Sequence, residues 1–197
     1  MLAFWAHGYE TTSIGDLTKA MGITAPSLYT AFGDKKGLFL EAARLYAGDM
    51  VAIGSAIDAA PSSLEAARSI LEGTVVTFTG NETPPGCLLA SSTATGSAAA
   101  ADVREAVAGY RRDLRDRLAA RIERDKADSL LPRDANAVAL ADLVIAVIQG
   151  LSVLARDGAN RPALQAVVDA ALQAWPACQN DGFSYPSGRN GEADWPH

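Results

Sequence analysis

A short stretch near the N-terminus concentrates side chains suited to binding a polyanion. Lys35 and Lys36 stand at the start of a predicted helix, where their ammonium groups and the free backbone N–H groups can together hold a phosphate. Tyr29 precedes Asp34 by five residues, across a turn at Gly33, so its hydroxyl and the lysines can reach the same DNA strand. The alternative interpretation is a solvated helix end, with the Tyr29 ring packed and only its hydroxyl in water.

The residues around Tyr29 are predicted to form a short helix with a polar leading end. Thr24 is a predicted N-cap, and Pro26 fits the first turn because its missing N–H has no intrahelical partner there. Leu28 and Phe32 face inward, so contacts with neighbouring helices hold this two-turn helix rigid. A rigid, uncharged helix end of this kind fits a major groove about 12 Å wide and can contact base edges. The outward residues are Thr24, Ala25, Pro26, Ser27, Tyr29 and Thr30.

A second predicted helix precedes this one. Ser13 is a predicted N-cap, and Asp16 can reach back to it from three residues later as a capping box. Gly22 is predicted to end the helix. Its apolar face is formed by Ile14, Leu17 and Met21. The two helices and the turn between them are predicted to form a helix-turn-helix, supported by the helix that begins at Lys35.

The run from His7 to Phe39 resembles the DNA-binding domain of the TetR family of bacterial transcriptional regulators. It reads HGYETTSIGDLTKAMGITAPSLYTAFGDKKGLF. The resemblance implies phosphate contacts from Thr12 and Ser13, backbone contacts from Tyr29, Lys35 and, more weakly, Lys36, and base contacts from Thr24, Ala25, Pro26, Ser27 and Thr30. It also implies a homodimer, a double-stranded DNA operator with palindromic half-sites, an effector cavity in the C-terminal domain, and repression relieved by a small molecule.

The N-terminal end of the chain departs from the family pattern. Only seven residues stand before Gly8, and none of them is Lys or Arg. Family members usually carry a longer first helix preceded by a basic arm. We therefore expect a thin core around Leu2, Phe4 and Trp5, and no minor-groove contacts from an arm. Either Met1 is not the start of the native chain, or the affinity for an operator is weak and sensitive to salt.

Apolar residues recur at spacings of three and four along nearly the whole chain, with no convincing period-two alternation. The fold is predicted to be all-α, with an N-terminal three-helix domain and a C-terminal helical domain. We expect the N-terminal domain over residues 1–47 and the C-terminal domain over residues 48–176. An irregular tail is expected over residues 177–197, and its aromatic side chains either dock on the body or remain in solvent. Predicted helices span residues 2–6, 14–21, 25–31, 35–56, 63–79, 86–92, 102–129, 134–157 and 162–175.

Two of the predicted C-terminal helices suggest a dimer interface. The segment from Ala135 to Ala155 is apolar nearly all round and needs partners on two sides. Together with the following helix it can pair with its copy in a second chain as a four-helix bundle, which agrees with the family resemblance. The small residues that permit close approach are Ala139, Ala146 and Gly150, and the stripe on the following helix is Leu164, Val167, Val168, Ala171 and Leu172.

Earlier in the chain, eight basic and five acidic residues between Arg104 and Lys126 are predicted to form a solvated face.

An effector cavity is expected between the long helices. Apolar walls with a few polar points are typical of such sites. Cys87 is either an inert small hydrophobe or, if exposed with a low pKa, a sensor thiol. The candidate lining residues are Phe78, Cys87, Leu88, Ser91, Tyr110 and Gln149.

The composition and net charge of the chain indicate where it works and how it can bind DNA. The chain has 197 residues, 49% of them hydrophobic, and a net charge of −6, which argues against strong non-specific affinity for DNA. Residues 1–50 nevertheless hold four basic side chains against five acidic, so most of the acidity lies elsewhere. Two cysteines and the lack of a secretory signal favour the cytoplasm.

The sequence contains little that indicates a catalytic site or a metal site. The histidines, His7 and His197, stand near opposite ends of the chain without zinc-ligand spacing, and no nucleophile elbow, phosphate loop or dinucleotide motif occurs. We expect no cofactor, no metal, no membrane span and no enzymatic activity. Two hypotheses remain: a DNA-binding regulator, and a dimeric ligand-binding protein that has lost DNA binding through its shortened first helix.

Overall fold

The computed structural model describes residues 1–48, 50–91 and 100–176; the predicted tail over 177–197 lies outside these residues. The described residues form ten α-helices and no strand, which confirms the all-α prediction. The helices are α1 (Leu2–His7), α2 (Ile14–Met21), α3 (Ala25–Phe32), α4 (Lys35–Ala47), α5 (Met50–Ala59), α6 (Ser63–Phe78), α7 (Leu88–Ser91), α8 (Ala101–Ala127), α9 (Ala137–Arg156) and α10 (Arg161–Gln173).

An aromatic cluster fills the core of the N-terminal helices. The Phe4 ring is fully buried and meets the Phe39 ring edge-on, with the ring centroids 5.3 Å apart. Tyr9 contacts Phe39 in the same manner at 5.1 Å. Each such pair contributes about 0.5–1.5 kcal/mol beyond the burial of its surface. Phe4 and Trp5 are therefore well packed although α1 is short, whereas Leu2 is half exposed.

Helix α1 also joins the N-terminal helices to the body. The Trp5 indole N–H donates to the Gly86 carbonyl at 2.8 Å, and the Arg156 guanidinium donates to the Trp5 carbonyl at 3.0 Å. Gly8 follows α1 with a φ of 84°, and a Cβ there would lie 2.9 Å from the Ser91 carbonyl oxygen. Glycine is needed at this position because both the backbone conformation and the close approach exclude a side chain.

The single helix predicted over residues 35–56 is wrong, because the structure divides it into α4 and α5. Gly48 ends α4 with a φ of 71° and a ψ of −162°. This backbone conformation is accessible to glycine at little cost and cannot continue an α-helix. Apolar residues recur on both sides of the break, with Ala43 buried in α4 and Ile57 in α5. The spacing of apolar residues in the sequence therefore did not indicate the break between α4 and α5.

The C-terminal body is built on α6, α8, α9 and α10. Helix α6 packs against the other three, and α8 and α9 pack closely along each other. Leu164, Val168 and Leu172 of α10 are buried within the same chain. In the described parts of the chain, α9 is the one helix that is long and apolar enough to cross a membrane. One of its faces is buried against neighbouring helices.

A buried ion pair corrects the predicted solvated face of α8. Arg121 is 7% exposed and Asp125 is 1% exposed, and the two side chains form a salt bridge. Arg121 also donates to the Ala60 carbonyl at 3.0 Å, and Asp125 accepts the Ser63 backbone N–H at 2.6 Å. The pair thus connects α8 to the turn between α5 and α6. The i, i+4 spacing of the two charges did not distinguish this buried pair from a surface pair.

Candidate nucleic-acid interface and effector cavity

Helix α2 is capped as its sequence predicts. The Ser13 hydroxyl accepts the Asp16 backbone N–H at 3.1 Å, and the Asp16 carboxylate accepts the Ser13 backbone N–H at 3.0 Å. The Ser13 hydroxyl also donates to the Asp16 carboxylate at 2.6 Å, and this bond together with the Ser13 backbone N–H holds the pKa of the Asp16 carboxyl below its usual range. Gly22 closes the helix in the left-handed conformation, with a φ of 66°. The helix-turn-helix therefore begins at a fixed point and has a tightly defined turn.

Helix α3 presents a rigid polar end to solvent. Thr24 caps it by accepting the Ser27 backbone N–H at 3.4 Å, and the two hydroxyls are 2.9 Å apart. Leu28 is fully buried beneath the helix. Tyr29 is 48% exposed, and the Thr30 hydroxyl donates to the Pro26 carbonyl at 2.9 Å. Of the predicted base-contacting residues, Thr24, Pro26, Ser27 and Thr30 are exposed and Ala25 is half-buried.

Thr12 and Lys35 are brought together, but as supports for the loop before α2. The Thr12 side chain is 1% exposed, and its hydroxyl donates to the Gly8 carbonyl at 2.6 Å. The Lys35 ammonium donates to the carbonyls of Thr12 at 3.0 Å and Glu10 at 3.3 Å. It also lies 4.6 Å from the centre of the Tyr9 ring, in cation–π geometry. Lys35 therefore fixes the loop that positions Ser13, which is exposed.

Lys36 contacts the C-terminal body rather than the other predicted site residues. Its ammonium group lies 2.8 Å from a carboxylate oxygen of Asp102, in the first turn of α8. Hydrogen bonding and charge attraction raise the pKa of Lys36 and lower the pKa of Asp102. Both side chains remain substantially exposed, so the pair stabilises the fold only weakly. It nevertheless connects α4 directly to α8.

Two residues of this region escaped the sequence analysis. Tyr9 contributes the ring under Lys35, and Asp102 is the partner of Lys36. An acidic residue in the first turn of a helix is common for dipole reasons alone, so Asp102 carried no specific signal. Its 66-residue separation from Lys36 hides the contact from any local pattern. Tyr9 could have been suspected, because it follows a glycine within the segment that resembles the family motif.

A cavity of about 520 Å³ opens between α4, α5, α6, α8 and α9. Four predicted residues line it: Phe78, Cys87, Tyr110 and Gln149. The other two lie elsewhere, since Leu88 is fully buried in the core and the Ser91 hydroxyl donates to the Leu88 carbonyl at 2.8 Å. Lining residues that were not predicted include Tyr46, Met50, Ile70, Thr74, Arg111 and Ile145.

Cys87 lies in a buried, structured part of the cavity wall. It is 5% exposed, and its backbone N–H donates to the Ser152 hydroxyl at 2.8 Å. Its thiol contacts the phenol of Tyr46. Burial raises the pKa of Tyr46 well above its ordinary value, and the adjacent thiol raises it further. The phenol therefore stays neutral and can serve as a hydrogen-bonding group at the end of α4.

Two family models match the chain. Residues 3–42 match the bacterial regulatory proteins of the TetR family, and residues 63–176 match the tetracyclin repressor-like C-terminal domain. The first match covers the helix-turn-helix, and the second covers the helices from α6 to α10. The two matches include the helix-turn-helix and most of the cavity lining, whereas the end of α4 and all of α5 lie between them.

Individual relatives agree with these matches. The HTH-type transcriptional repressor ComR of Escherichia coli K12 is 32% identical over 182 residues, covering 89% of this chain and 85% of ComR. The structure of a cysteine mutant of the TetR family regulator CifR, complexed with 26-bp double-strand operator DNA, is 40% identical with a TM-score of 0.82, covering 89% of this chain and 92% of that one. A TetR regulator from Rhodococcus sp. RHA1 is 36% identical with a TM-score of 0.61, covering 88% of this chain and 93% of that one. The chain belongs to the TetR family of bacterial transcriptional regulators.

Proposed function

We propose that this protein is a DNA-binding transcriptional repressor that a small-molecule effector releases from a palindromic operator. The observation that carries the proposal is the exposed, capped end of α3, held on a fully packed support formed by α1, α2 and α4. The 40%-identical structure of CifR with operator DNA supports the same function. We assign this activity to the cytoplasm and assign no catalytic role to the chain.

In this proposal the side chains of the helix-turn-helix divide into two groups. The first group touches DNA: Tyr29 and Ser13 contact phosphates, and bases are read by Thr24, Ala25, Pro26, Ser27 and Thr30. The second group positions the first, because Thr12 and Lys35 are engaged with backbone carbonyls of their own chain. Lys36 belongs with the second group through its pair with Asp102. Hydroxyl and backbone N–H groups therefore supply more of the contact than ammonium groups do.

We infer a homodimer formed through α9 and α10. Val138 and Val153 on α9 and Val167 on α10 are exposed in the single chain. The small residues Ala139, Ala146 and Gly150 are exposed on α9 and allow close approach of a second copy. An exposed apolar face of this length is costly in water, so pairing with its copy is favoured. Two copies place two α3 helices against half-sites about 34 Å apart. This interface, rather than a membrane, is the environment we assign to α9.

Helix α4 is the element that we expect to couple the cavity to DNA. Its last residues, Tyr46 and Ala47, line the cavity, while Lys35 at its start holds the loop before α2. An effector that displaces the end of α4 therefore also moves the helix-turn-helix. A coupling of roughly 1–3 kcal/mol between the two sites is the usual range for such transitions. The domain division at residues 47 and 48 falls at the end of α4.

Titration of the full chain with a palindrome from its own promoter tests this function against the ligand-binding alternative. We expect tight, sequence-selective binding that weakens as salt is raised. Tyr29→Ala should lose most of this binding, and Tyr29→Phe should keep the ring and lose only the contact of the hydroxyl. Exclusively weak binding, equal for unrelated sequences, would instead favour a dimeric ligand-binding protein without a DNA function.

A further inference from the structure

Among the residues that the structure describes, one formal charge lines the cavity. Its described lining consists of apolar and neutral polar side chains together with one arginine, Arg111, and contains no carboxylate. The apolar part includes Ile53, Ile70, Leu114 and Ile148. A cavity of about 520 Å³ with such walls is of the size that encloses a small organic molecule. The position of the charge therefore decides which class of molecule fits.

Among the described residues Arg111 has no carboxylate partner, unlike Arg112, Arg115 and Arg124 of the same helix. Arg112 pairs with Glu105, Arg115 pairs with Asp116, and Arg124 pairs with Asp58 at 2.8 Å. No ion pair or side-chain hydrogen bond is formed by the Arg111 guanidinium with any of the described residues. It is half-buried against the cavity. A cation held beside apolar walls without a counter-ion is poorly stabilised, and an anion bound in the cavity would relieve this.

Other polar groups of the cavity leave the arginine as the dominant recognition element. The Thr74 hydroxyl donates to the Ile70 carbonyl at 2.8 Å, and the Thr77 hydroxyl donates to the Gly73 carbonyl at 3.0 Å. Both hydroxyl protons are thus already used within α6. The remaining polar groups that reach the cavity are neutral and can add hydrogen bonds; they belong to Tyr46, Ser69, Tyr110 and Gln149. None of these groups competes with a guanidinium for an anion.

We propose that the effector is a small amphipathic carboxylate, whose head group binds the Arg111 guanidinium and whose apolar body fills the cavity between α5, α6, α8 and α9. The planar guanidinium matches a carboxylate with two parallel hydrogen bonds. A singly charged head group is matched by the one charge of the wall, whereas a doubly charged phosphate leaves one charge uncompensated among apolar side chains. This inference rests on the effector role proposed for the cavity and specifies its ligand class.

The test is calorimetric titration of the full-length protein with straight-chain carboxylates from hexanoate to tetradecanoate, each compared with the alcohol and the amine of equal length. We expect a best-fitting carboxylate to bind at least about tenfold more tightly than its alcohol, because hydrogen bonds to a charged group contribute more than neutral ones. The amine should bind more weakly than the alcohol, since its charge repels Arg111.

Two matched variants test whether Arg111 is the source of the preference for carboxylate over alcohol. Arg111→Gln should abolish the preference for carboxylate over alcohol, while the alcohol still binds through its apolar body. Arg112→Gln, on the exposed side of the same helix, should leave the preference intact. Circular dichroism melting checks that each variant is folded, and the comparison of carboxylate with alcohol in the unsubstituted protein needs no variant.

The inference is overturned if no carboxylate of the series binds more tightly than its alcohol, or if Arg111→Gln keeps the preference. Operator binding is measured separately, without ligand. Its absence would count against the regulator function alone, whereas equal binding of carboxylate, alcohol and amine would count against the ligand class alone.

Discussion

Two helical glycines, one in each half of this protein, lie in very different surroundings. A Cβ placed on Gly37, in α4, would lie 2.1 Å from the backbone carbonyl oxygen of Phe32, so the helix-turn-helix has no spare room there. A Cβ placed on Gly73, in α6, would meet no atom within 4 Å, because Gly73 faces the cavity. The start of α4 is thus packed closely against the end of α3, whereas α6 borders open space beside Gly73.

The open cavity does not make the C-terminal half loose throughout. The buried pair of Arg121 and Asp125 fastens α8 to the turn between α5 and α6, some distance along α8 from Arg111. This part of the half is therefore firmly connected, although open space borders α6 beside Gly73.

Removing Asp125 should have the largest effect on stability. Asp125→Ala leaves the Arg121 guanidinium buried without its counter-ion and the Ser63 N–H without its acceptor. We expect the free energy of unfolding to fall by about 3–5 kcal/mol. Urea unfolding at a fixed protein concentration measures this. Asp116→Ala is the matched control, because Asp116 pairs with Arg115 on the exposed side of α8; equal losses for the two variants would contradict the structural role of the buried pair.

A methyl group at Gly37 should have the next largest effect. Gly37→Ala forces the start of α4 away from the Phe32 carbonyl and is expected to cost about 1–3 kcal/mol, as overpacking does. Operator affinity should fall as well, because α4 supports α3. The control is Gly15→Ala in α2, where the nearest atom to an added Cβ is the Ser13 hydroxyl at 3.5 Å. If Gly37→Ala were as stable as the unsubstituted protein, the close packing assigned to this half would be wrong.

A methyl group at Gly73 should have the smallest effect, and of opposite sign. Gly73→Ala adds a good helix former within α6 and meets no neighbour, so we expect a gain of about 0.5–1 kcal/mol. Gly109→Ala, in α8 and outside the cavity lining, should give a similar gain. Thermal unfolding of both variants gives the comparison. A loss of stability at Gly73 alone would show that the space beside it is not open.

Local sequence patterns predicted the parts of the site that lie within a few residues of each other. The Ser13–Asp16 capping box and the Thr24 cap both occur as expected, because an N-cap oxygen accepts the backbone N–H of the residue three positions later in the chain. The division at Gly48 was missed because the apolar spacing continues across it. Leu88 and Ser91 were assigned to the cavity from their position in the chain, yet they lie beside it in the core and against α1.

The sequence alone determined the helical class, the caps and the polar face of α3, since these depend on interactions between neighbours in the chain. The tertiary structure decided which charges are used internally and which remain available: Lys36 meets Asp102, Arg121 meets Asp125, and Arg111 faces the cavity with no partner among the described residues. All three are basic residues on helices with similar surroundings in sequence. Their roles differ because long-range packing sets the distance to a counter-ion, and no local spacing encodes that distance.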